Sequence, residues 1–155
     1  MTVSSRDIIQ RKHLLAPVEH LRSRPRLSDT VTLDLTDWDL ILQTGSNALL
    51  QGPPLALKQA VSALEGYLRA PQCRVSPARW SLASGATGTL IIEHVDACTI
   101  EQQHELLGWF SGAAGSVQVI ATTEKMLFNL VERGDFLIAL YYRLNTIHVT
   151  FDTAH

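Results

Sequence analysis

The chain has 155 residues, of which 46% are hydrophobic and 18% charged, with a net charge of −2. That size holds one domain with a sizeable core and is short for two, and the composition excludes a disordered chain. No apolar run approaches the roughly 18–20 residues of a membrane helix, and "MTVSSRDIIQRKHLL" lacks a signal peptide's apolar core, so a cytoplasmic protein without membrane contact is expected.

In chain order, Ser5 caps a helical pattern of Ile8, Ile9, Leu14, Leu15, Val18 and Leu21, which Pro17 would kink or split. "RSRPRLSD" follows as a linker. Residues 1–30 are therefore read as an N-terminal helix and basic linker, and 31–155 as an α/β domain. Residues 1–26 carry six of the thirteen basic residues against Asp7 and Glu19, a local charge of +4, which leaves −6 on the rest. No zinc-finger spacing or RNA-binding signature accompanies this arm, and no basic face continues it, so no direct nucleic-acid binding is expected.

"TVTLDLTDWDLILQ" alternates at Val31, Leu33 and Leu35, which predicts a strand or hairpin with one wet face. Gly45-Ser46-Asn47 marks a turn. Strand, loop and helix then repeat. "NALLQ" is a short strand; "KQAVSALEGYLRA" places Ala60, Val61, Leu64 and Leu68 on one helical face; "QCRVS" is a second short strand. "GTLIIEHV" and "VQVIATT" are compact apolar strands of the kind buried on both faces of a parallel sheet. Between them, Thr99 caps a helix with Gln102 at the capping-box position and Leu106, Leu107 and Phe110 inward. "EKMLFNLVERG" is a helix closed by Gly134, "DFLIALYYRL" another, and "TIHVTF" a last alternating strand. Strands separated by helices of this length predict an α/β fold, a three-layer αβα sandwich around a parallel sheet.

Between the first such strand and its helix, Gly52 and Lys58 stand at the spacing of a phosphate loop, G-x-x-x-x-G-K, with Leu57 in place of the second glycine. Such loops need glycines so that backbone N–H groups can approach phosphate without a Cβ in the way. Pro53 and Pro54 stiffen this turn, and Pro54 removes a donor. The two cysteines, Cys73 and Cys98, form no C-x-x-C and read as free thiols. The six histidines show no metal-ligand spacing, so no metal site is expected.

"GTLIIEHVDACTIEQQHELL", "VQVIATTEKML" and "ERGDFLIALYYRLNTIHVTF", in this order behind the Gly52–Lys58 loop, resemble the AAA+ ATPase domain of sigma-54-dependent transcriptional activators, which are bacterial regulators. The resemblance runs from about Leu49 to Phe151. It implies a P-loop NTPase-like fold with a central parallel sheet in the order 5-1-4-3-2, and it makes Gly52, Lys58 and Gln59 the degenerate phosphate loop. Leu55 and Leu57 stand where the family has glycine, and Gln59 replaces the residue near magnesium. Glu93-His94 stands where the family has Asp-Glu, one carboxylate for the metal shell and one to polarise the attacking water. Glu124 replaces the asparagine that senses the γ-phosphate, and a carboxylate there repels phosphate. Of two arginines that reach a neighbour's ATP, the first position is Leu137 and the second Arg143. Losing one such arginine costs a factor of about 10³ or more.

The interval from Lys58 to Glu93 is too short to hold the family's GAFTGA loop, which engages sigma-54. "SGAAGS" is a short link where the family has a hairpin, and the family's helical lid and helix-turn-helix are expected to be missing. The resemblance thus implies a pseudo-ATPase: a non-catalytic transcription-regulatory protein that docks on an AAA+ activator or on itself and needs no cofactor. The alternative is a residual ATP-binding switch or slow ATPase, using ATP and magnesium through Lys58, Glu93 and His94.

Overall fold

The computed structural model describes residues 35–83, 87–112 and 117–151; the expected N-terminal helix and basic linker, with Val31 and Leu33, lie outside them. The described residues form α1 (Leu35–Thr44), β1 (Ala48–Gln51), α2 (Pro54–Glu65), β2 (Gln72–Val75), β3 (Gly88–Ile92), a 3-10 turn (Val95–Ala97), α3 (Ile100–Gly112), β4 (Val117–Thr123), α4 (Leu127–Glu132), α5 (Ile138–Leu144) and β5 (Ile147–Thr150). The five strands make one sheet in the order β2-β3-β4-β1-β5. Every pairing is parallel, for example Leu49 with Ala121 and His148, and Ile91 with Ile120 and Arg74. Read from the other edge this is 5-1-4-3-2, the order the resemblance implies.

Apolar runs in the central strands alternate between two cores. Ala48, Leu50, Ile91 and Ile120 face α1 and α2, where Ala56, Leu57, Ala60, Val61 and Leu64 meet them. Leu49, Leu90, Ile92, Val119 and Ala121 face the other way, onto Leu106, Phe110, Leu127, Leu130, Leu140 and Leu144 of α3, α4 and α5. Every residue of β3 is buried, because helices cover both faces of the sheet. The three layers are those expected.

Local signals set several boundaries. Thr99 and Gln102 form the expected capping box, each side chain bonded to the other's backbone N–H at 3.0 Å. Gly134, at φ +82, closes α4, and the N–H groups of Asp135 and Phe136 return to Leu130 O.

Two expectations fail. The predicted strand or hairpin after Thr30 is, from Leu35 on, helix α1. The alternation ends at Leu35, and the consecutive Leu40, Ile41 and Leu42 break a period of two. Ile41 is fully buried, and Gln118 Nε2 of β4 donates to Ile41 O at 2.8 Å, tying the helix to the sheet. The second failure is the loop expected from Gly52 to Lys58. Helix α2 begins at Pro54, with Pro53 extended at φ −65 and ψ 153 as its cap. Proline at the first helical position is preset for the helix. Leu55, Ala56 and Leu57 are good helix formers, and without glycine nothing holds the chain open.

Candidate functional site

The carboxyl ends of β2, β3 and β4 meet one side of α2, from Pro54 to Glu65, at a cleft of about 400 Å³. Open α/β sheets place ligands at such ends. The cleft is lined by Lys58, Ser62 and Glu65 of α2, by Arg74, and by Glu93, His94, Thr122 and Glu124 beyond or at the ends of β3 and β4. Lys58, Glu93, His94 and Glu124, scattered in sequence, are thus brought together. Gln59 is half-buried, and neither it nor Gly52 lines the cleft.

Glu93 does not stand free. Arg74 Nη1 donates to Glu93 Oε2 at 2.9 Å, and Arg74 Nη2 pairs with Glu65. One guanidinium from the edge strand therefore bridges α2 to β3 across the cleft. His94 is the only non-glycine residue at positive φ among those described (φ 56, ψ 47). That left-handed turn costs on the order of 1 kcal/mol and is held by the His94 N–H bond to Thr122 Oγ1 at 3.3 Å. The turn aims the exposed ring at Glu124, whose Oε2 lies 3.8 Å from His94 Nδ1. Beneath it, Thr123 Oγ1 donates to Asp96 Oδ1 at 2.8 Å and accepts from Lys125 N–H, fixing the end of β4 to the 3-10 turn.

A triphosphate with magnesium fits this arrangement poorly. Pro53 and Pro54 have no N–H, Gly52 N–H is donated to Thr123 O at 3.1 Å, and Leu57 N–H closes the first helical turn onto Pro53 O at 3.0 Å. Only the N–H groups of Leu55 and Ala56 remain for an anion, where a phosphate loop offers a ring of them. Two cationic side chains in the lining face three carboxylates, Glu65, Glu93 and Glu124, so the local field disfavours a polyanion. Gly52 has another explanation: a Cβ built there would lie 2.9 Å from Phe151 Cβ and 3.0 Å from Phe151 O.

Arg143 lies elsewhere. It sits in the last turn of α5, its guanidinium 5.3 Å above the Phe110 ring, beside the amino ends of β1 and β4 and so at the opposite end of the sheet from Lys58. Leu137 packs against the core of α3, α4 and α5, its N–H bonded to Gln103 Oε1 at 2.8 Å. Sequence reasoning missed Arg74 and Glu65 at the cleft, Asp96 bonded to Thr123 beneath it, and the buried Gln103, whose Nε2 also donates to Cys98 O and Asp135 O. A charged residue one position before the end of an edge strand was the available signal for Arg74. Among the described residues no cluster of three His, Cys, Asp or Glu side chains could hold a metal ion, and no helix is long and apolar enough to cross a membrane.

No family model and no curated protein matches the sequence. Solved structures do. NtrX from Brucella abortus in complex with ATP superposes with a TM-score of 0.61 at 18% identity, over 96% of this chain and 45% of that one. Its ADP complex gives 0.62 at 18% identity, over 94% and 43%. The P-loop NTPase domain of the sigma-54 transport activator from E. coli gives 0.52 at 19% identity, over 74% of this chain and 93% of that one. The chain spans less than half the length of the NtrX chains it matches. With its five-stranded parallel sheet in the order 2-3-4-1-5, the chain is similar to these proteins in fold, and that fold is the α/β architecture of the P-loop NTPase domain of sigma-54 activators.

Proposed function

We propose that this chain is a non-catalytic transcription-regulatory interaction protein built on a sigma-54-activator-type AAA+ scaffold. One observation carries the reading: α2 starts at Pro54, so residues at phosphate-loop spacing are wound into helix rather than arched around an anion. The Arg74 bridge to Glu93 supports it, since the carboxylate at the metal position already has a cation. A protein partner, an AAA+ activator or a second copy, is supported by apolar side chains left in water on α4 and α5. Phe128, Ile138 and Tyr142 are 39%, 52% and 64% exposed, with Tyr141 between Phe128 and Tyr142 at ring distances of 5.7 and 5.5 Å.

Titration calorimetry with ATP and ADP, with and without Mg²⁺, tests the reading on wild type and Lys58→Ala. The expected result is binding weaker than millimolar in both. Micromolar binding that Lys58→Ala abolishes would overturn it. Sedimentation velocity, alone and with a purified sigma-54 activator ATPase domain, tests the partner: a strict monomer that forms no complex would sink that half.

A second reading, a residual nucleotide-binding switch, is favoured by the exposed Lys58 at its phosphate-loop spacing beside a cleft large enough for a ligand. The similar NtrX structures hold ATP and ADP. The same titration separates the two readings.

A further inference from the structure

A second cavity, of about 390 Å³, opens at the amino ends of β1, β4 and β5, at the other end of the sheet from Lys58. Two guanidiniums line it, Arg69 and Arg143, with the hydroxyls of Thr44, Ser46 and Thr146, and no carboxylate does. Neither arginine has a carboxylate partner among the described residues. The contrast with the cleft at the carboxyl ends, where three carboxylates outnumber the cations, is one of sign.

Both arginines are placed by their surroundings. Arg143 lies over the Phe110 ring, a contact that orients the plane of its guanidinium. Arg69 lies against the Gly45 turn, where φ is +70 and a built Cβ would come 3.2 Å from Nη2. The walls are fixed by bonds that use neither guanidinium. Asn47 Nδ2 donates to Arg143 O at 3.0 Å, and Asn47 Oδ1 accepts from Val119 N–H at 2.9 Å. Gln118 Nε2 donates to Ser46 O at 2.8 Å, while Thr44 Oγ1 and Ser46 Oγ bond each other at 2.7 Å.

We propose that this cavity binds a small molecule bearing a phosphoryl group, held between Arg69 and Arg143. Two planar forks flanked by a hydroxyl suit a tetrahedral oxyanion, which accepts several parallel N–H bonds from such groups. The volume admits more than bare phosphate and falls in the range of small-molecule sites. The inference is independent of the function proposed above, because no residue of the Lys58 cleft takes part.

Inorganic phosphate is the probe, titrated at constant ionic strength into ¹⁵N-labelled full chain and followed by amide chemical shifts. Saturable shifts at Gly45, Ser46 and Thr146 are expected, with amides from Leu57 to Ser62 unmoved. Arg69→Gln, at an exposed position, should keep the wild-type melting temperature and weaken binding by roughly tenfold or more. Arg143→Lys keeps the charge but loses the planar fork, and should weaken binding as well. Lys58→Ala should bind as wild type does. Shifts confined to Leu57–Ser62, shifts linear in phosphate, or an affinity that Arg69→Gln leaves unchanged would each overturn the proposal. Loss of binding in Lys58→Ala alone would overturn it too, and would count instead for the nucleotide switch.

Discussion

Gly52→Ala separates two explanations for that glycine. As part of a phosphate loop, Gly52 would serve ligand binding, and alanine would cost the empty protein little. In the structure the residue serves packing. The added Cβ would lie 2.9 Å from Phe151 Cβ and 3.0 Å from Phe151 O, and the second of these is backbone. Phe151 cannot easily withdraw, since its N–H is bonded to Gln51 O at 2.8 Å and its ring is buried. Gly52 itself is held by its bond to Thr123 O. Overpacking between two fixed backbones costs about 1–3 kcal/mol. At about 2–4 °C per kcal/mol for a domain of this size, a cost of ~2 kcal/mol lowers Tm by about 4–8 °C. Gly66 is the control: it has φ −69 at the end of α2, and a Cβ there meets nothing within 4 Å. Alanine at 66 should be neutral or stabilise by about 0.4–1 kcal/mol. Calorimetric melts of the three proteins without ligand decide the matter. If Gly52→Ala melts with wild type, or Gly66→Ala loses as much, the packing argument is wrong.

The two thiols should differ sharply in reactivity. Burial, with the nearby Asp96 carboxylate adding to it, pushes the Cys98 thiol up to about 12, whereas Cys73 is exposed on the edge strand. Titration with a thiol reagent should give one fast equivalent in the native state, absent in Cys73→Ser, and a second only on unfolding. A Cys73→Ser protein that reacts fast would contradict the buried placement of Cys98. Because the folded thiol ionises later than the unfolded one, stability from this site should be full below pH 9.0 and decline toward 12. At the other end of the scale, burial lowers the His148 pKa from 6.5. The folded state then prefers the neutral ring, so its contribution is present above pH 6.5 and lost as the pH falls below it. In denaturant melts across pH 5–8, His148→Gln should lessen the acid-side loss; an unchanged profile would refute this.

How much was legible depended on whether the signal was local. The buried strands β1, β3 and β4 announce themselves because a strand covered on both faces is an unbroken apolar run, and "GTLII" and "VQVIA" have no other use for so many branched residues. The capping box at Thr99 and the left-handed Gly134 are likewise spelled out within a few residues. Helix α1 was not legible, because its identity rests on Ile41 meeting the sheet and on Gln118, 77 positions away, reaching its carbonyl. At the candidate site, Lys58, Glu93, His94 and Glu124 could be named from spacing and resemblance. That Arg74 reaches both Glu65 and Glu93, or that Arg143 rests on Phe110, could not. Those contacts cross elements whose mutual placement only the folded sheet decides.

Leu57 makes a glycine loop hard to build at this position. Its side chain is 6% exposed and packs in the core between α2 and the sheet, at the position where the resemblance has glycine. Placing glycine there would delete a buried leucine, at about 2–5 kcal/mol, and weaken a helix by about 1 kcal/mol more. Against a total of roughly 5–15 kcal/mol for a typical domain, that single substitution threatens the fold before any ligand is gained. A designed glycine loop would have to begin elsewhere, with substitutions that stabilise the domain or refill the space under α2. Packing thus turns what reads as a point difference in a motif into a barrier spread over the core.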